Sequence, residues 1–211
     1  MKMKSVLVVN PKGGAGKTTL AINLAAALAS AGDQQVKLWD LDRQHSALDW
    51  LALRPADRPP IQPMYNGQAN GRDKGVGSGW LVLDAPAGIR GKMLDRALKL
   101  ANKVIVPIQP SMFDMAASSQ FIQELLKEKA VRNHHAFVGI VGMRVDPRTR
   151  AAATLGAFLH QFDLPIVTLL RDTQVYANAA FNGLSIFDLP SSVGGKDVEQ
   201  WNPLLEWVSG K

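Results

Sequence analysis

The 211-residue chain contains no cysteine, which excludes disulfides, thiolate zinc sites, cysteine-bound iron–sulfur clusters and cysteine nucleophiles. A reducing compartment fits that absence. Long apolar runs are missing too. The longest near the start, Ser5 to Val9, is far too short to span a bilayer, and Asn10-Pro11-Lys12 ends it before it could form the apolar part of a signal peptide. The expectation is a cytoplasmic protein. Aromatic residues make up only 7%, yet 46% hydrophobic and 20% charged residues are ordinary globular composition and exclude a mostly disordered chain. A formal net charge of +6 points to attraction for polyanions.

Strand, turn and helix patterns alternate along the chain. Apolar runs at Ser5–Val9, Val36–Trp39, Trp80–Leu83, Val104–Val106, Phe137–Val141 and Leu164–Leu170 read as buried parallel strands. Helices are expected over 17–31, 46–53, 91–101, 112–129, 149–161, 173–182 and 195–208. This alternation predicts an α/β domain over 1–211 with a doubly wound, mostly parallel sheet. Residues 55–79, rich in proline and glycine, read as a surface excursion with a short strand near Ile61–Tyr65.

The chemistry begins at Pro11-Lys12-Gly13-Gly14-Ala15-Gly16-Lys17-Thr18-Thr19, between the first strand and the first helix. Glycines let the backbone form a nest of N–H groups for phosphate oxygens, and the following helix adds its positive end. Lys17 can reach the outer phosphates, and the Thr18 hydroxyl is placed to ligate magnesium. The strict phosphate-loop pattern wants glycine where Pro11 stands. Lys12 instead adds a second cation at the start of the loop. Downstream, Asp40 and Asp42 end the second strand and Asp84 ends the third. Carboxylates at strand ends beside such a loop can hold magnesium through water and orient an attacking water.

KGGAGKTT resembles the deviant Walker A loop of the ParA/MinD group of P-loop ATPases. The resemblance extends through Asp40-Leu41-Asp42-Arg43-Gln44-His45-Ser46, with Arg43 where the family usually has proline. It continues through Asp84-Ala85-Pro86-Ala87-Gly88, Val106–Ser111 with Asp114, Arg144–Thr149 and Arg171–Phe187. It implies an Mg²⁺-dependent ATPase, with ATP held by Lys12, Gly13, Gly14, Ala15, Gly16, Lys17, Thr18, Thr19 and Arg144. Lys12 would act across an ATP-sandwich homodimer, and Lys17 and Asp42 would serve catalysis, Asp42 by positioning water. Thr18, Asp40 and Asp84 would serve the metal. In place of an asparagine that helps the family read the base, this chain has Arg144.

Within that group, the lack of cysteine excludes the iron–sulfur relatives, and the two tyrosines, Tyr65 and Tyr176, do not make the tail of the tyrosine-kinase type. The C-terminal stretch Asp197–Val208 carries two tryptophans but also three acids, so it reads as a core helix rather than a membrane anchor. Five cations against one acid between Arg90 and Lys103, and further arginines after residue 140, favour nonspecific DNA. Arg148, Arg150, Arg171 and Lys196 are the candidate contacts. With the first strand starting within five residues of Met1, no sequence-reading domain is expected ahead of the loop. The expected function is a ParA-type ATPase on the nucleoid that positions a cargo and is stimulated by a ParB-like or cargo-adaptor partner. A membrane-cycling MinD-like ATPase and a metabolic enzyme activating a small substrate are the alternatives.

Overall fold

A computed structural model describes residues 3–32, 34–65 and 78–210. The elements run β1 (Lys4–Val8), α1 (Lys17–Ser30), β2 (Gln35–Asp40), α2 (Ser46–Leu53), β3 (Gln62–Met64), β4 (Gly79–Asp84), α3 (Gly91–Leu100) and β5 (Lys103–Ile108). They continue with α4 (Met112–Leu125), α5 (Lys129–Arg132), β6 (Phe137–Gly142), α6 (Arg150–Leu159), β7 (Ile166–Leu169), α7 (Val175–Ala180) and α8 (Ser191–Ser209), with a 3₁₀ turn at Ile186–Asp188. The seven strands form one sheet in the order β3-β2-β4-β1-β5-β6-β7, and every pairing is parallel. The sheet is therefore wholly parallel among the described residues.

Parallel strands need both faces covered, and alternate residues of β1 serve the two cores. Val6 and Val8 pack with α1, α2 and α8, while Leu7 packs with α3, α4 and α6. α1 is buried almost all round, from Leu20 to Leu28, because the sheet lies on one side and α2 and the 3₁₀ turn on the other. β1 stands at the centre. The chain winds outward from it to β2 and β3, returns through β4, then crosses to β5, so the loops at the C-terminal end of β1 lie where the winding reverses.

Three sequence expectations need adjustment. The helix expected over 112–129 breaks, with Glu128 extended (ψ 137°) between α4 and α5. The last helix starts earlier, at Ser191, and runs through Pro203. The excursion holds β3 as an edge strand on β2, while residues 66–77 of it lie outside the described residues.

Candidate active site

The phosphate loop leaves β1 and turns into α1 through two glycines in the left-handed region, Gly14 (φ 77°) and Gly16 (φ 91°). Gly16 also meets Met143: a Cβ there would lie 2.8 Å from the methionine methyl. As the residue before α1 it offers no side-chain cap, so no side chain competes for the first amides of the helix. Outside contacts hold the loop. The Gly88 amide donates to the Pro11 carbonyl (2.7 Å), and Gln109 Nε2 donates to the Gly14 carbonyl (2.6 Å).

Lys17 is buried, and its Nζ donates to the Lys12 carbonyl at 2.9 Å across the loop. Burial pulls the ammonium pKa down, opposed by the nearby Asp84 and Asp42 carboxylates. The Lys12 ammonium pairs instead with Asp114 Oδ2 at 2.5 Å. Asp114 sits in the first turn of α4, where the Ser111 hydroxyl also binds its carboxylate and accepts from its amide.

Asp84 is 1% exposed at the end of β4. Its Oδ2 accepts from Thr18 Oγ1 at 2.7 Å, while Oδ1 has no partner among the described residues. Burial pushes this carboxyl up to about 7, with the neighbouring Asp40 and Asp42 charges adding to the effect. An orphaned, buried carboxylate oxygen beside a threonine hydroxyl fits a divalent cation, which would satisfy the oxygen and favour the ionised form. No cluster of three or more histidine or acidic side chains among the described residues could hold an ion alone. A magnesium ion here would take its other ligands from water and phosphate oxygens.

Asp40 is turned to the backbone. Its Oδ1 accepts from the Asp42 amide and its Oδ2 from the Ala47 amide, both at 2.9 Å. It thus shapes the turn that carries Asp42, and acts on the metal region by charge. Asp42 lines the pocket, its Oδ1 accepting from the Gln44 amide at 3.0 Å. His45, just before α2, adopts φ 54°.

These residues open onto a pocket of about 410 Å³. Gly13 to Thr19, Asp42, Gln109, Met143, Arg144, Arg171 to Gln174, Tyr176 and Ala177 line it. Arg144 adopts φ 53°, with its guanidinium 3.8 Å from Asp172. Arg171, expected at DNA, lines this pocket and is bound to Asp197. Arg148 is exposed and paired with Asp146, and Arg150 and Lys196 are exposed. Asp172 to Ala177 stand inside the family-like segment Arg171–Phe187, which was read toward DNA and not as part of this pocket. Gln109 and Asp114 stood inside a family-like segment, but no role was drawn from it. α8 spends its apolar face on the core, with Trp201, Leu204 and Val208 buried, and no described helix is long and apolar enough to cross a membrane.

The fold and loop define a P-loop nucleotide-binding domain with a deviant Walker A sequence. The profile of the CobQ/CobB/MinD/ParA nucleotide binding domain matches residues 6–186, and the chain belongs to this family, in its ParA/MinD ATPase group. It is 26% identical to the maintenance of carboxysome distribution protein A of Halothiobacillus neapolitanus, over 98% of this chain and 97% of that one. It is 29% identical to the chromosome-partitioning ATPase Soj of Thermus thermophilus, over 75% of this chain and 76% of that one. Among solved structures, the ATP complex of a Cyanothece McdA variant superposes with a TM-score of 0.74 at 17% identity, covering 99% and 96% of the two chains.

Proposed function

We propose that this chain is a partition or positioning ATPase that closes around ATP and Mg²⁺ as a homodimer and, in that state, binds DNA without reading its sequence. The observation that carries the reading is Lys12. Its ammonium is held by the Asp114 carboxylate, and Lys17, not Lys12, lines the candidate nucleotide pocket. Similarity to carboxysome-distribution and chromosome-partitioning proteins supports a cargo-positioning role.

The loop amides and the start of α1 hold the phosphates. Lys17 exchanges the Lys12 carbonyl for an outer phosphate oxygen. Thr18 and Asp84 would hold Mg²⁺, which supplies charge neutralisation at the outer phosphates. Asp42 orients the attacking water, and Lys12 leaves Asp114 to stabilise charge in the partner's site. Arg150, Lys196 and Arg148 give phosphate-backbone contacts on the nucleoid, and Arg144 faces the base. A ParB-like or adaptor partner on the cargo stimulates hydrolysis, which returns the protein to monomers and releases DNA.

The test is binding to random-sequence duplex DNA with ATP, ADP or no nucleotide, over a range of salt. Binding that needs ATP and fades with salt is expected. Lys12→Ala should retain ATP but lose ATP-dependent dimers by light scattering, and with them DNA binding. DNA affinity independent of nucleotide, or dimers persisting without Lys12, would refute the scheme.

A further inference from the structure

Part of the pocket lining is the stretch from Arg171 to Tyr176, which leads from β7 into α7 and has no regular structure before residue 174. A segment without its own ladder of hydrogen bonds takes its position from whatever it touches. Here that includes Arg144, 3.8 Å from Asp172, and above all the helix α8.

α8 grips the segment at both ends. The Arg171 amide donates to Gln200 Oε1 at 3.0 Å, and Thr168 Oγ1, at the end of β7, donates to the Gln200 carbonyl at 2.6 Å. At the far end, Trp201 Nε1 donates to the Tyr176 hydroxyl at 2.9 Å. Between them, Arg171 Nε and Nη2 form a two-pronged pair with Asp197, at 2.6 and 3.0 Å.

The asymmetry of that pair carries the argument. Asp197 is fully buried, whereas the Arg171 side chain is 39% exposed and faces the pocket. A buried carboxylate without a cation is strongly unfavourable, so Asp197 dictates where the guanidinium sits. Both nitrogens on the Asp197 side are used. The remaining one, Nη1, has no hydrogen-bond partner among the described residues and belongs to a side chain lining the pocket. A guanidinium fixed by a fork on one edge is pre-organised to donate from the other.

We infer that Asp197 and Gln200 are positioning residues for nucleotide binding, holding Arg171 so that its free edge donates to the nucleotide in the pocket. This rests on the nucleotide reading given above. It assigns Arg171 to the pocket rather than to the DNA backbone, although Lys196, next to Asp197 on the same helix, stays exposed to solvent.

The experiment measures equilibrium binding of a fluorescent ATP analogue with Mg²⁺ to the full chain, with unlabelled ATP and GTP as competitors. Urea unfolding and DNA binding of each variant are followed in parallel. Asp197→Asn and Arg171→Ala should each weaken ATP about tenfold, and the double variant should lose little more, as expected of two residues acting through one contact. In turnover, the loss should fall on KM more than on kcat. Arg171→Lys keeps a charge for Asp197 but not the fork, so it should fold and still lose ATP affinity even where Asp197→Asn does not fold. Lowered stability with ATP affinity unchanged would overturn the inference. Arg171→Ala that keeps ATP affinity but loses salt-sensitive DNA binding would also do so. Absence of saturable ATP binding by the wild-type protein would overturn the nucleotide reading, and this inference with it.

Discussion

Asp84 should destabilise the protein at neutral pH whenever no cation is bound, and Asp84→Asn should relieve the cost. Its carboxyl is pushed up to about 7 by burial, from an ordinary value of 3.8. Between those two values the unfolded chain has released the proton while the folded chain still holds it. Stability from this group therefore falls as pH rises from about 4 to about 7, and levels off above. Each pH unit within that window is about 1.4 kcal/mol, tapering near 7, so the advantage of Asp84→Asn over wild type should grow by about 2 kcal/mol between pH 5 and pH 7. For a chain of this length that corresponds to roughly 4–8 °C in melting temperature. The assay is urea unfolding of both proteins from pH 5 to 8 in EDTA without nucleotide, where groups unaffected by the substitution cancel in the difference. Adding Mg²⁺ and ATP should stabilise wild type and narrow the gap, because the amide cannot take the ionised carboxylate's place at a cation. A difference that stays flat with pH would refute the reasoning.

Asp42→Ala should keep ATP bound but slow its hydrolysis about 10²-fold or more, since only the water-orienting group is lost; phosphate release at saturating ATP measures this. Gly16→Ala forces a side chain to φ 91° and into the Met143 methyl, and should cost on the order of 1–3 kcal/mol together with much of the ATP affinity, read by urea midpoint and nucleotide titration. Asp188→Ala strands Arg54, whose side chain is 4% exposed and held at 2.9 and 3.1 Å by that carboxylate, and should lower stability by about 3–5 kcal/mol, read by urea unfolding.

How much of this was legible in the sequence depended on the range over which the cause acts. Ser5–Val9 followed by a glycine loop announces strand, turn and helix because every determinant lies within a dozen residues. Asp42 and Asp84 were readable as strand ends for the same reason. Gly194 was not. The last helix was expected from residue 195, yet Gly194 lies inside α8, where a Cβ would come within 2.8 Å of the Ile186 carbonyl and only a glycine allows so close a crossing. Trp201 could have faced lipid or core on its pattern alone; the sheet behind it leaves it with no exposed surface. Asp40 looked like a metal residue and proved to spend both oxygens on backbone amides, which depends on the turn geometry after β2. Arg171 and Asp197 stand 26 residues apart with no motif to link them.

The buried tie between Arg54 and Asp188 has a mechanical corollary for the turn that carries Asp42. α2 is anchored at its far end by that ion pair, along its length by Trp50 Nε1 on the Leu184 carbonyl (3.1 Å), and at its start by the Ala47 amide on Asp40. Fastened at three points, it is a post and not a piston. If Asp42 shifts when a nucleotide binds, the change would fall on Arg43, Gln44 and His45, which join it to that post. His45, already at φ 54°, is the hinge pin of that short bridge.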